Sequence, residues 1–253
     1  MKLHVLGCHG GELPRCRSTC FLVDGVLALD AGALTRSLPL EELVRVDHIL
    51  LSHSHFDHVK DLPLLADLIV GRRDEPVTIW GSNECIAALR KSMFNNELWP
   101  DFTRIPNRRN PVLRLKAFRA GARVQVGPYS VQTVPVHHPV ESIGFVISDG
   151  KVSLGMSGDT GPTDKLWKAF NRAENLRAIL VETSFPNALQ DLADISGHLT
   201  PQTLEIELEK FDGTGNGTQV LLYHLKPAFV PQLKAEVRHL PVRVLELDDV
   251  FQL

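Results

Sequence analysis

The stretch "HILLSHSHFDHVK", residues 48–60, decides how this chain is read. An apolar run gives way to His53, His55, Asp57 and His58, three imidazoles and one carboxylate within six residues. In extended backbone, residues i and i+2 project to the same side, so His53 and His55 can share one metal ion. Asp57 and His58 follow at a turn into a helix expected to begin near Val59, and they point at a neighbouring position. Imidazole with carboxylate suits Zn²⁺, and also Mn²⁺ or Fe²⁺. Two such ions about 3.5–4 Å apart form the usual hydrolytic clamp. A solvated histidine-rich loop would also hold such residues, but it would not call for the recurrence seen downstream.

That recurrence is a strand ending on a ligand-type residue. "VSLGMSG" runs into Asp159, "AILV" into Glu182 and "QVLLY" into His224, while "VQTVPV" is closed by His137 and His138. A strand end is a rigid mount facing loops, which is where a metal site needs its ligands.

The bulk composition sets the frame. The chain has 253 residues, 43% hydrophobic and 23% charged, the profile of a globular protein. A net charge of −3, with "RIPNRRN" (104–110) as the one local basic patch, argues against a nucleic-acid groove built on bulk positive charge. The N-terminal "MKLHVLGCHGGEL" lacks a long apolar core and a cleavage site. No run approaches the roughly 18 apolar residues of a membrane span, so a soluble, cytoplasmic protein is expected. Cys8, Cys16, Cys20 and Cys85 match no zinc-ribbon spacing and are read as buried thiols.

Short β-branched runs alternate with helical patterns, which predicts an α/β class with a mixed sheet covered by helices in one domain, 1–253. Hairpins are expected at the Asp-Gly pairs 24–25 and 149–150. Helices are expected over 57–70, 83–94, 163–174, 200–211 and 226–240. Thr200 is placed as an N-cap, with Pro201 at the first helical position.

The His53–His58 pattern matches the H-x-H-x-D-H fingerprint of the metallo-β-lactamase superfamily. "VPVHHPVESIGF" (134–145), "SGDT" (157–160) and "LLYHLKP" (221–227) follow in that family's order, and "LALDAG" (27–32) is similar to its early strand and turn. "VETSFPN" (181–187), "SGHLTPQTLEIEL" (196–208), "YHLKPAFVPQLKAEV" (223–237), "GCHGGELPRCRST" (7–19) and "LWPDFTRIP" (98–106) resemble the class II cyclic-nucleotide phosphodiesterases.

The resemblance implies a four-layer αββα sandwich, with mixed sheets and helices on the outer faces. It implies two divalent ions, Zn²⁺ first and Mn²⁺ or Fe²⁺ as alternatives. His53, His55 and His138 would hold one, Asp57, His58 and His224 the other, and Asp159 would bridge them. The spacing to Gly144 in the related enzymes selects His138 over His137, which is left beside the site. A hydroxide shared by the metals would attack phosphorus, with Asp57 orienting it and His198 as general acid or phosphate stabiliser. Glu182 either fixes a histidine tautomer or is a buried, hydrogen-bonded carboxylate.

Within 92–106, Trp99 and Phe102 are candidates to stack on a base, or else pack in the core or at an oligomer contact. Lys226 is a candidate to balance phosphate charge. The implied activity is hydrolysis of 3′,5′-cyclic nucleotides, with no membrane or nucleic-acid partner and with room for a homodimer. A tRNA 3′-processing nuclease is the rival, although its Lys-rich arm is missing here; a lactonase or thioesterase on the same fold is another.

Overall fold

The computed structural model describes residues 1–215 and 217–253. Two seven-stranded mixed sheets face each other. From edge to edge, the first contains Val250–Gln252, Lys2–Gly7, Cys20–Val23, Leu27–Leu29, His48–Leu50, Val77–Ser82 and Leu113–Phe118. The second contains Arg243–Val244, Gln219–Tyr223, Leu176–Glu182, Ser153–Met156, Ile143–Ser148, Tyr129–Pro135 and Arg123–Val126.

Why two sheets and four layers is readable in the strands themselves. Successive strand residues point to opposite faces. Leu50, Leu180 and Leu221 enter the core between the sheets, with Phe21, Phe145 and Tyr223. Their neighbours turn outward: Ile49 packs under Leu62, Leu65 and Leu89, and Ile179 and Leu222 pack under Trp167, Phe170 and Leu204. The central strands therefore bury both faces, which is why they read as unbroken apolar runs rather than as alternation. Each such side chain contributes roughly 1.5–3 kcal/mol by leaving water. The result is the αββα sandwich expected from the resemblance.

Both Asp-Gly pairs sit between antiparallel neighbours, Cys20–Val23 with Leu27–Leu29 and Ile143–Ser148 with Ser153–Met156. Helix Pro201–Leu208 starts as expected. The Thr200 hydroxyl accepts from the Thr203 N–H, and the Thr203 hydroxyl accepts from the Thr200 N–H, closing both ends of the cap.

Three expectations need correction. The helix over 57–70 is two helices, Phe56–Val59 and Leu62–Ile69. Asp61 separates them: its carboxylate accepts from the Thr35 N–H and hydroxyl at 2.8 and 2.9 Å, and Pro63 then enters at the start of the new helix. The run 123–138, whose apolar and β-branched residues read as one strand, is a hairpin, Arg123–Val126 against Tyr129–Pro135. Strand Leu113–Phe118, "LRLKAF", was not expected, because its charged alternation hides an edge strand. No helix among the described residues is long and apolar enough to cross a membrane.

Candidate metal centre

The first sheet delivers four candidate ligands from one turn. Beyond His48–Leu50 the chain leaves the sheet, and Ser52 ties it to the second sheet by accepting the Ile143 N–H at 3.0 Å. His53 is fully buried, His55 caps helix Phe56–Val59, and Asp57 and His58 lie within that helix. Behind them stands Asp30, with φ of +56°, a left-handed conformation in which aspartate is enriched. Its buried carboxylate accepts from the Ser52 N–H and hydroxyl, both at 2.8 Å, and lies 2.7 Å from Nδ1 of His58.

The second sheet delivers the rest from three strand ends. His138 follows Tyr129–Pro135, Asp159 follows Ser153–Met156, and His224 follows Gln219–Tyr223. Nδ1 of His138 lies 3.0 Å from the Gly197 carbonyl oxygen. His224 donates its backbone N–H to the Cys8 carbonyl, and its Nδ1 lies 2.9 Å from the Ser184 hydroxyl. Gly10 lies flat against it: a β-carbon there would come within 2.7–2.9 Å of His224.

The two sets meet. Nε2 of His58 and of His224 are 3.2 Å apart, and each is 3.2 Å from Oδ2 of Asp159. Asp57 Oδ2 lies 3.3 Å from His224 Nε2, and His138 Nε2 lies 3.1 Å from His55 Nδ1. Candidate ligand atoms fall within 4.8 Å of one another in the groups His53–His55–His138, Asp57–His58–His224 and His53–His58–Asp159. His53 Nε2 and Asp159 Oδ1 are buried without a hydrogen-bond partner.

Orphaned polar atoms of this kind are rare and call for an explanation. Outward partners on Nδ1 of His58, His138 and His224 leave each Nε2 turned inward, the arrangement of metal-ligating histidines. The donor set fits divalent cations.

The electrostatics agree. Burial holds His53 well below its ordinary pKa, and His55 and His138 below theirs, so these rings favour the neutral, donating form. Burial would push Asp159 up, yet His224, His58 and His53 outweigh it and keep the carboxylate ionised. Burial also works against charge on His58, where Asp159 and Asp30 outweigh it and push the pKa up.

His198 stands beside this cluster. It is stacked on His224, with centroids 5.4 Å apart and planes 19° apart, and meets His138 edge-on at 5.0 Å. Its Nδ1 lies 2.7 Å from Oε1 of the fully buried Glu182. Glu182 also accepts from the Thr160 N–H and the Ser184 hydroxyl. Burial opposes charge on His198, but Glu182 outweighs it and raises the pKa. With Nδ1 engaged, Nε2 is the nitrogen left to act.

Residues 19–224 match the family model described as the β-lactamase superfamily domain. The chain belongs to the metallo-β-lactamase superfamily. It is 30% identical over 225 residues to a probable 3′,5′-cyclic-nucleotide phosphodiesterase of Yersinia pestis, covering 79% of this chain and 62% of that one. The chain thus spans about three fifths of that relative's length. The crystal structure of unliganded yeast PDE1 superposes with a TM-score of 0.83 at 21% identity, over 100% of this chain and 99% of that one. Human tRNase Z, short form, does so with 0.71 at 16%, over 100% and 99%.

Within this superfamily member, some expected contacts lie elsewhere. Phe102 is 5% exposed and packs in the core under the first sheet's helices, so it has no face free for a base. The Phe102 carbonyl accepts the Leu113 N–H, and Leu113 pairs with Val77, the first residue of its strand. His53 emerges beyond the other end of these parallel strands. The stacking role expected for Phe102 is therefore corrected. Trp99 packs partly buried against the same core, with its indole nitrogen covered.

His137 is exposed, and its backbone bonds to Thr160 and Gly161 while its neighbour His138 joins the cluster. Lys226 is half-buried, its amine 5.9 Å over the Phe185 ring, which meets His198 at 5.7 Å.

Sequence reasoning missed Asp30, Ser52, Ser184 and the Gly197 carbonyl. The stretch "LALDAG" had flagged the turn but not the job of its aspartate. Ser184 and the Gly197 carbonyl act through contacts 40 and 59 residues apart in sequence, and Ser52 owes its role to Asp30, 22 residues away, none of which a local pattern reports.

Proposed function

We propose that this chain is a metal-dependent phosphodiesterase that hydrolyses 3′,5′-cyclic nucleotides to 5′-nucleotides. The observation that carries this reading is the pair of triads with Asp159 between them, 3.7 Å from Nε2 of His53 and 3.2 Å from Nε2 of His58 and of His224, and with His198 held beside them by Glu182. The substrate class draws on the name of the Yersinia pestis relative.

His53, His55 and His138 would hold one ion, Asp57, His58 and His224 the other, with Asp159 shared. Divalent ions, when bound, supply Lewis acidity to the phosphoryl group and acidify a water. Asp57 orients the attacking water, which sheds one proton to solvent and whose oxygen bonds to phosphorus as the P–O3′ bond breaks. His198 gives its Nε2 proton to the departing ribose oxygen, a step worth about 10²–10⁴ in rate. Glu182 favours the protonated ring and fixes its direction. Lys226 balances charge on the phosphate.

A hydrolysis panel with metal analysis tests the reading. It contains 3′,5′- and 2′,3′-cyclic nucleotides, an aryl phosphodiester, pre-tRNA and a lactone, with Asp57→Ala as control. Turnover of the 3′,5′-cyclic compounds by the two-metal protein is expected. Two bound metals with no phosphodiester hydrolysed would overturn the reading, and cleavage of pre-tRNA alone would replace it.

A further inference from the structure

A cyclic nucleotide has two parts, and only the phosphate is accounted for above. Phe102 is in the core, and Trp99 is partly buried against it with its indole nitrogen covered. The remaining aromatic side chains narrow the search. Tyr129, Tyr223 and Trp167 are 2%, 0% and 2% exposed, Phe185 is 9% exposed, and Trp80 and Phe229 are partly covered by their neighbours. Phe56, at 68%, is the one aromatic residue among the exposed large hydrophobics of the described residues.

A single exposed phenylalanine on a remote surface needs no explanation. This one lies on the backbone between His55 and Asp57, a candidate ligand from each half of the centre. Its mount is rigid. Its carbonyl accepts the Lys60 N–H at 2.8 Å. The Lys60 amine is fastened to Glu12 at 3.0 Å and Asp61 at 2.8 Å. A phenyl ring presented to solvent between two candidate metal ligands, on backbone held by these contacts, suits a flat aromatic ligand.

We propose that Phe56 is the platform on which the substrate's base stacks, an inference that rests on the cyclic-nucleotide reading. Stacking on an aromatic side chain tolerates any base, so Phe56 would contribute to binding purines generally without choosing adenine over guanine.

The test uses the two-metal protein with Phe56→Ala, Phe56→Leu and Phe56→Trp. Substrates are 3′,5′-cyclic AMP and the 3′,5′-cyclic phosphate of 1-O-methylribose, which has no base. Truncation of a stacking partner predicts a KM for cyclic AMP raised about 10- to 100-fold in Phe56→Ala, with kcat nearly unchanged. Phe56→Leu falls between, Phe56→Trp matches or improves on the parent, and KM for the baseless substrate does not move.

A KM for cyclic AMP within about twofold of the parent in Phe56→Ala, at unchanged metal content, overturns the proposal. So does an equal rise for both substrates, or a change in sedimentation without a change in KM, which would assign the ring to self-association. Failure of the parent protein to hydrolyse any cyclic nucleotide sinks the functional reading itself, and is seen before any variant is made.

Discussion

The half of the centre built from His53, His55 and His138 and the half built from Asp57, His58 and His224 share a plan. Each takes two residues from the turn after His48–Leu50 and one from a strand end of the second sheet. They differ in what stands behind them. His138 leans on a backbone carbonyl and His53 on the Ser52 hydroxyl. His58 leans on the buried carboxylate of Asp30, and His224 on a hydroxyl that also serves Glu182. A carboxylate behind an imidazole raises its basicity and fixes its direction. The second half should therefore be the tighter of the two.

The largest effect should come from Asp159, which lies between the two halves. Asp159→Ala is expected to lower metal content below two ions and turnover to background, read by elemental analysis alongside hydrolysis. A variant that keeps both ions and full rate would show that the halves are not joined through this carboxylate.

Next comes His198→Ala, expected to lose about 10²–10⁴ in kcat while both ions stay bound. Unchanged kcat would remove His198 from the mechanism and leave Glu182 as a structural carboxylate.

Asp30→Asn separates the halves directly. The ion held by His58 should bind about 10- to 100-fold more weakly, by competition with a chelator, and the other should be affected less, because Asp30 reaches His53 only through the Ser52 hydroxyl. Equal weakening at both would erase the distinction drawn here.

The smallest effect on turnover is expected from Phe102→Ala, far from both halves. It should cost about 3–5 kcal/mol of stability through the cavity it opens, with KM unchanged for the folded fraction. A selective rise in KM would return Phe102 to the substrate.

Much of the centre was legible because its residues sit at strand ends in short, ordered motifs. His53, His55, Asp57 and His58 announce themselves by spacing alone. Asp159, Glu182 and His224 do so by ending apolar runs buried on both faces. What stayed hidden is non-local. A pattern can say that 98–106 is an aromatic loop, but not which end of the sheet it closes; the Phe102–Leu113 hydrogen bond decides that. Likewise Asp30 looks like any turn aspartate until the fold brings it to His58, 28 residues on. The broken helix at Asp61 has the same origin, a side chain taken up by Thr35 rather than by its own helix.

The strand Val250–Gln252 lies in the first sheet, beside Lys2–Gly7, although the strand just before it, Arg243–Val244, belongs to the second. A ribosome therefore emits the start of the first sheet long before its closing edge exists. Until residues 250–252 emerge, Lys2–Gly7 has an open side, and the loop it feeds, carrying Cys8 and Gly10 against His224, lacks its final anchor. Pairings of such long sequence separation are slow to find. The frame around the candidate centre would thus be completed late in the life of the nascent chain.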